Sequence, residues 1–152
     1  MSFNPLTTTA TDLQHLLATT SLTSVDLIQH YLTQIDRHNH KLRALISIAP
    51  RDLLLAVAAA LDEERRQGRV RGPLHGIPIV LKDSFMTASE EMGMGTTAGA
   101  GALVGARVKE NGVIVQKLVD EGMIVLGKGN MTVRFSFLES WAVISKGSNA
   151  SS

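Results

Sequence analysis

The sequence predicts an α/β fold, a sheet covered by helices, and two observations carry that prediction. The first is the order of its second half. A short apolar run at 77–81 is followed by a long loop, a helical pattern over 110–121, a short connection and a second apolar run at 123–126. Strand, crossover helix, strand is the order of a βαβ unit. The second is composition: 44% apolar and 19% charged residues can bury one core within 152 residues. Aromatics are only 4%, so Leu, Ile, Val, Ala and Met must fill that core.

Taken in order, Thr11 or Asp12 is a candidate cap for a first helix with Leu13, Leu16 and Leu17 on one face. Ser24 is a candidate cap for a second, in which Leu27, Ile28, Tyr31, Leu32 and Ile35 recur at three and four residues. Arg37-His-Asn-His-Lys41 ends that pattern and reads as a turn. Residues 44–49 alternate weakly, as a short strand would. Pro50 then opens a third helix to about Gln67, with Leu53, Leu54, Val57, Ala58 and Leu61 as its stripe and Gly68 as its C-cap. In the apolar run at 77–81, Pro78 argues for an edge or bulge, because it cannot donate to a ladder. Residues 92–106, rich in Gly, Ala and Thr, have no clear period. In the helix over 110–121, Val113, Ile114, Lys117 and Leu118 are assigned to one side, with Gly122 at C′. Gly127-Lys-Gly-Asn130 reads as a turn.

Several function classes are disfavoured. Fifteen basic and 14 acidic residues give a formal charge of +1, which makes no case for nucleic acid or an anionic membrane. Without cysteine there is no disulfide, thiolate metal site or cysteine nucleophile. No signal-peptide pattern opens the chain and the longest apolar run, 53–61, is far too short to span a bilayer, so a cytoplasmic location is expected. His38 and His40 read as solvated turn histidines rather than metal ligands. The Gly99–Gly105 run lacks the preceding apolar strand that a dinucleotide loop needs. Met92 and Met94 read as gap fillers rather than copper ligands, and Trp141, after Phe135 and Phe137, as an anchor for the terminal segment.

The most informative stretch is Gly72-Pro-Leu-His-Gly-Ile-Pro-Ile-Val-Leu-Lys82-Asp83. It is followed by Thr96-Thr-Ala-Gly99, a helix holding Val115-Gln-Lys-Leu-Val119, and Glu121-Gly-Met-Ile-Val-Leu-Gly-Lys-Gly-Asn130. This ordered set, over about residues 70–131, resembles the amidase-signature family. The resemblance implies a partial amidase-signature fold, with helices covering an incomplete mixed sheet. Residues 1–152 then form the N-terminal part of an amidase domain, ending before the nucleophile segment. It also implies Ser–cis-Ser–Lys chemistry: a serine attacks an amide carbonyl, and a second serine relays its proton to a lysine. Lys82 is the lysine, and the only catalytic residue carried over. His75 falls at a structural position. The substrate would be a small-molecule amide, and no metal or organic cofactor is implied.

Acting as a base requires Lys82 to lose its proton near neutral pH. Its position after Ile79-Val-Leu81 suggests desolvation as the means. Asp83, the next residue, is expected to face the other way. The family's glycine-flanked serines have no counterpart here, since Ser148, Ser151 and Ser152 lie in a polar tail. Gly129 replaces a usual threonine, and Met131-Thr-Val-Arg-Phe135 lacks an acidic residue common in the family. The expectation is therefore that residues 1–152 alone are inactive, and poorly stable or self-associating through an exposed sheet edge. The alternative reading is a non-catalytic binding or regulatory remnant, or the product of a degraded gene.

Overall fold

The computed structural model describes residues 3–130. The roles expected of Trp141, of the tail serines and of residues 131–135 lie outside the described residues. Helices α1 (Ala10–Ala18) and α2 (Ser24–Leu42) open the chain. Strand β1 (Leu45–Ile48), helix α3 (Arg51–Arg66) and strand β2 (Pro78–Lys82) follow. A short helix α4 (Ser89–Met92) and a single 3₁₀ turn (Gly101–Leu103) lie in the Gly-rich excursion, and α5 (Val113–Asp120) leads into β3 (Ile124–Gly129).

The three strands form one mixed sheet in the order β1-β3-β2. β3 is central, antiparallel to β1 and parallel to β2. The expected βαβ unit is thus β2-α5-β3, and Pro78 begins an edge strand, opposite Ile124. The central strand is buried along nearly its whole length. Leu81, Ile124, Val125 and Leu126 from the sheet meet Leu54, Ala58 and Leu61 of α3, Ile28 and Leu32 of α2, and Val115 of α5. A second cluster joins Leu13, Leu16 and Leu17 of α1 to Leu22, Leu27 and Ile77.

The caps differ from expectation by one to three residues. Thr9 caps α1 and Thr23 caps α2, each in a reciprocal box with the aspartate three residues on, Asp12 and Asp26. Ser24 is displaced inward and buried, and Asp62 of α3 accepts from the Ser24 and Val25 amides at 2.8 and 3.1 Å. The charged run 37–41 is helical rather than a turn. α2 continues to Leu42 and ends only at Arg43, which has positive φ. The Asn39 side chain there pairs with both backbone groups of Leu45, at 2.9 Å each, and so steers the chain into β1.

The face of α5 is also corrected. Val113 and Ile114 are 74% and 58% exposed, whereas Val115 is fully buried and Leu118 and Val119 pack on the core. The three- and four-residue spacing from Val115 selects that stripe, which faces α3 and β3. Residues 127–129, expected as a turn, extend β3. Gly127 permits this, because a Cβ there would sit 2.6 Å from the Ser47 carbonyl oxygen across the ladder. Gly122 ends α5 as expected, with φ +83°, and its missing Cβ would lie 2.6 Å from Nδ1 of buried His75. Gly122→Ala is therefore expected to destabilise the chain by about 1–3 kcal/mol, read as a lower urea midpoint at unchanged slope. No helix among the described residues is long and apolar enough to cross a membrane.

Candidate active site

The turn before β2 is held from several sides. His75, 1% exposed, places Nε2 2.9 Å from the Leu61 carbonyl while Nδ1 accepts from the Arg71 amide at 3.3 Å. Arg65 donates to the His75 carbonyl at 2.6 Å. Arg71 forks onto Glu64 of α3, at 2.7 and 2.5 Å, which fixes the start of the turn against that helix. The hydrogen bond from Arg71 holds the Glu64 carboxyl below its ordinary range. A carboxyl lowered in this way contributes stability that is fully present above its unfolded value near 4.5 and is lost as pH falls through the folded value. Glu64→Gln should accordingly flatten the acid arm of a stability–pH curve below about pH 4.5. Equal slopes in the two proteins would contradict this.

β2 delivers Lys82 to its C-terminal end, the end at which open α/β sheets place ligands. Lys82 and Val80 alternate with buried Leu81, and both are exposed. The expectation that the strand itself would desolvate Lys82 is thus not met among the described residues: β2 is an edge strand, and the face carrying Val80 and Lys82 is open.

Asp83 turns the other way, as its place in the alternation requires. It is 1% exposed. Its Oδ2 accepts from the Thr97 amide at 3.2 Å and the Thr97 hydroxyl at 2.5 Å, and its own amide donates to Gly129 O at 3.2 Å. Its Oδ1 lies 3.9 Å from Nζ of Lys128. Lys128, rather than Lys82, is the buried lysine: its side chain has no exposed surface. The ammonium donates to the Phe85 carbonyl at 2.6 Å and to the Thr96 hydroxyl at 3.0 Å. Burial pushes the Lys128 ammonium below its usual range, and the Asp83 carboxylate partly offsets this.

The sequence conceals Lys128 because Gly-Lys-Gly-Asn has the composition of a turn. The signal that could have found it is its continuity with the apolar run 123–126, at whose end a lysine remains in register with Leu81. His38 and His40 are exposed on α2, and no group of three or more His, Cys, Asp or Glu among the described residues is arranged to hold a metal. An apolar cleft between α3 and β3 is lined by Leu53, Leu54, Val57, Val119 and Met123, with Glu91 at its rim, and does not include Lys82.

Comparison with known proteins names the class of this fold. The amidase family model matches residues 26–140. The chain belongs to the amidase family, and the solved structures it resembles are amidase-signature enzymes. It is 40% identical over 122 residues to one component of the glutamyl-tRNA(Gln) amidotransferase of Chloroflexus aurantiacus, an alignment covering 80% of this chain and 24% of that protein. The peptide amidase of Stenotrophomonas maltophilia superposes with a TM-score of 0.75 at 43% identity, over 86% of this chain and 26% of the enzyme. A bacterial aryl acylamidase of the amidase-signature family gives 0.69 at 25% identity, over 80% and 25%. The chain thus spans about a quarter of the length of these relatives.

Proposed function

We propose that this chain is the lysine-bearing quarter of an amide-hydrolysing site and that Lys82 is its proton-accepting residue. The observation that carries the reading is the position of Lys82: the C-terminal end of a parallel strand, on the open face of the sheet, within the family block Gly72–Asp83. In that role Lys82 takes the proton relayed from an attacking serine, and the serine adds to the carbonyl carbon of the amide. The acyl-serine that forms on loss of amine or ammonia is then hydrolysed. Lys82 must be largely deprotonated to accept that proton. The polypeptide that covers the Val80–Lys82 face is the natural source of the desolvation this requires.

Residues 1–152 lack the Gly/Ser-rich nucleophile segment of the family, and we assign them no turnover on their own. The same face and the edge of β2, open among the described residues, are where self-association would occur. Expected on assay of the purified 152-residue chain is ammonia release from primary amides no faster than that of Lys82→Ala. A rate well above that control, retained through purification, would overturn the assignment of no turnover. The alternative reading is a non-catalytic binding module. Retained binding of a primary amide by the 152-residue chain, unchanged in Lys82→Ala, would select it.

A further inference from the structure

The catalytic reading uses Lys82 and leaves the buried pair behind it unexplained. Burying a lysine and an aspartate side by side is expensive, and such a pair is by itself no source of stability. Its geometry is directed at one place. The turn that follows β2 is closed by the Phe85 amide donating to the Lys82 carbonyl at 3.0 Å. The carbonyl of that same Phe85 accepts from Lys128 Nζ at 2.6 Å. On the strand side, Lys82 pairs with Gly129, the residue after Lys128, and the Asp83 amide donates to Gly129 O at 3.2 Å. The far end of the excursion is tied in as well: Thr96 accepts from Lys128, and Thr97 donates twice to Asp83. Lys82 is thereby bracketed on both sides by contacts that converge on Lys128 and Asp83, while its own side chain leaves by the opposite face.

We propose that Lys128 is a positioning residue for Lys82: its ammonium bolts the turn of residues 82–85 to β3, with Asp83 as counter-ion, and so fixes the direction in which Lys82 leaves the sheet. The functional meaning of this clamp rests on the catalytic reading of Lys82. A base must be held within a fraction of an ångström of its partner, and a misplacement of about 1 Å can cost about 10²-fold in rate. A flexible four-carbon side chain on an edge strand has no such constraint unless its backbone is anchored. The groups facing Lys128 are Asp83, Thr96, Thr97 through Asp83, and the Phe85 carbonyl.

The test is made on the 152-residue chain by amide hydrogen exchange and ¹⁵N relaxation. Lys128→Met alone leaves a buried carboxylate without its cation and can fail to fold. The deciding variant is therefore Asp83→Asn/Lys128→Met, which is neutral, nearly isosteric and keeps an oxygen for Thr97. At a urea midpoint close to that of the parent, the amides of positions 83 and 85 are expected to exchange at least about tenfold faster. Those of Ala49 and Ile124, on the far parts of the sheet, should be unchanged. The order parameter of the Lys82 amide should fall from about 0.85 toward about 0.6, the range of flexible backbone. Unchanged exchange at 83 and 85 with an ordered Lys82 would overturn the clamp, leaving Lys128 a mere charge partner. So would a uniform rise at all four amides, the mark of a purely structural role. None of these readouts needs turnover. In an assembled site that turns over, a Lys82→Ala variant that left the rate intact would remove the catalytic reading without touching the clamp.

Discussion

Lys128→Met is expected to destabilise the chain by about 3–5 kcal/mol, the cost of leaving the partner of a broken buried pair uncompensated. The partner is Asp83, 1% exposed, whose Oδ1 loses the ammonium 3.9 Å away. The Phe85 carbonyl and the Thr96 hydroxyl lose a charged donor at the same time. Urea denaturation checks the magnitude, and Asp83→Asn in the same background should recover most of it, because removing both members of a buried pair leaves no orphan charge. The pH dependence carries a sign as well. Burial lowers the Lys128 ammonium below its unfolded value of 10.5. In the window between the folded and unfolded values the unfolded chain therefore holds one more proton, and stability rises with pH there. Below that window the full cost of the buried charge is present. The parent chain should gain stability on approaching pH 10.5 through this group, and the double variant should lack that rise.

Lys82→Ala is expected to behave in the opposite way. Lys82 is exposed and, among the described residues, makes no side-chain hydrogen bond or ion pair, so stability should change by no more than about 0.5 kcal/mol. Where the segment works within a complete site, loss of a general base should lower the rate by about 10² to 10⁴-fold. On the proposed reading the two lysines separate into a buried one whose loss costs stability and an exposed one whose loss costs rate. Lys82→Arg should not rescue the rate, because a guanidinium stays protonated and cannot accept the relayed proton.

Much of this is legible from the sequence. The βαβ order, the edge position implied by Pro78, the Leu54, Ala58 and Leu61 part of the α3 stripe and the Gly122 cap are consequences of local chemistry, and each appears in the fold, whereas Val57, expected in that stripe, is 38% exposed. The errors have physical causes. The end of α2 is charged and largely exposed, and charge at the end of a pattern resembles a turn. In α5 five apolar residues, Val113, Ile114, Val115, Leu118 and Val119, leave two possible stripes. Only the position of α3 and β3 selects the one through Val115, Leu118 and Val119. Lys128 is hidden in a run that reads as a turn for its glycines, and Gly127 serves instead to bring β1 and β3 close. The alternation placing Lys82 and Asp83 on opposite faces is legible, whereas the partner of Asp83, 45 residues further on, is not.

The most direct measurement combines residues 1–152 with the part of the Stenotrophomonas peptide amidase that this chain does not cover, about three-quarters of it; the covered quarter matches this chain at 43% identity. Ammonia release from a primary amide is followed. The account predicts that the mixture turns over, that neither piece does so alone, and that Lys82→Ala in this chain lowers the rate by about 10² to 10⁴-fold without weakening association. Turnover by the assembled pieces at the same rate with Lys82→Ala would contradict it.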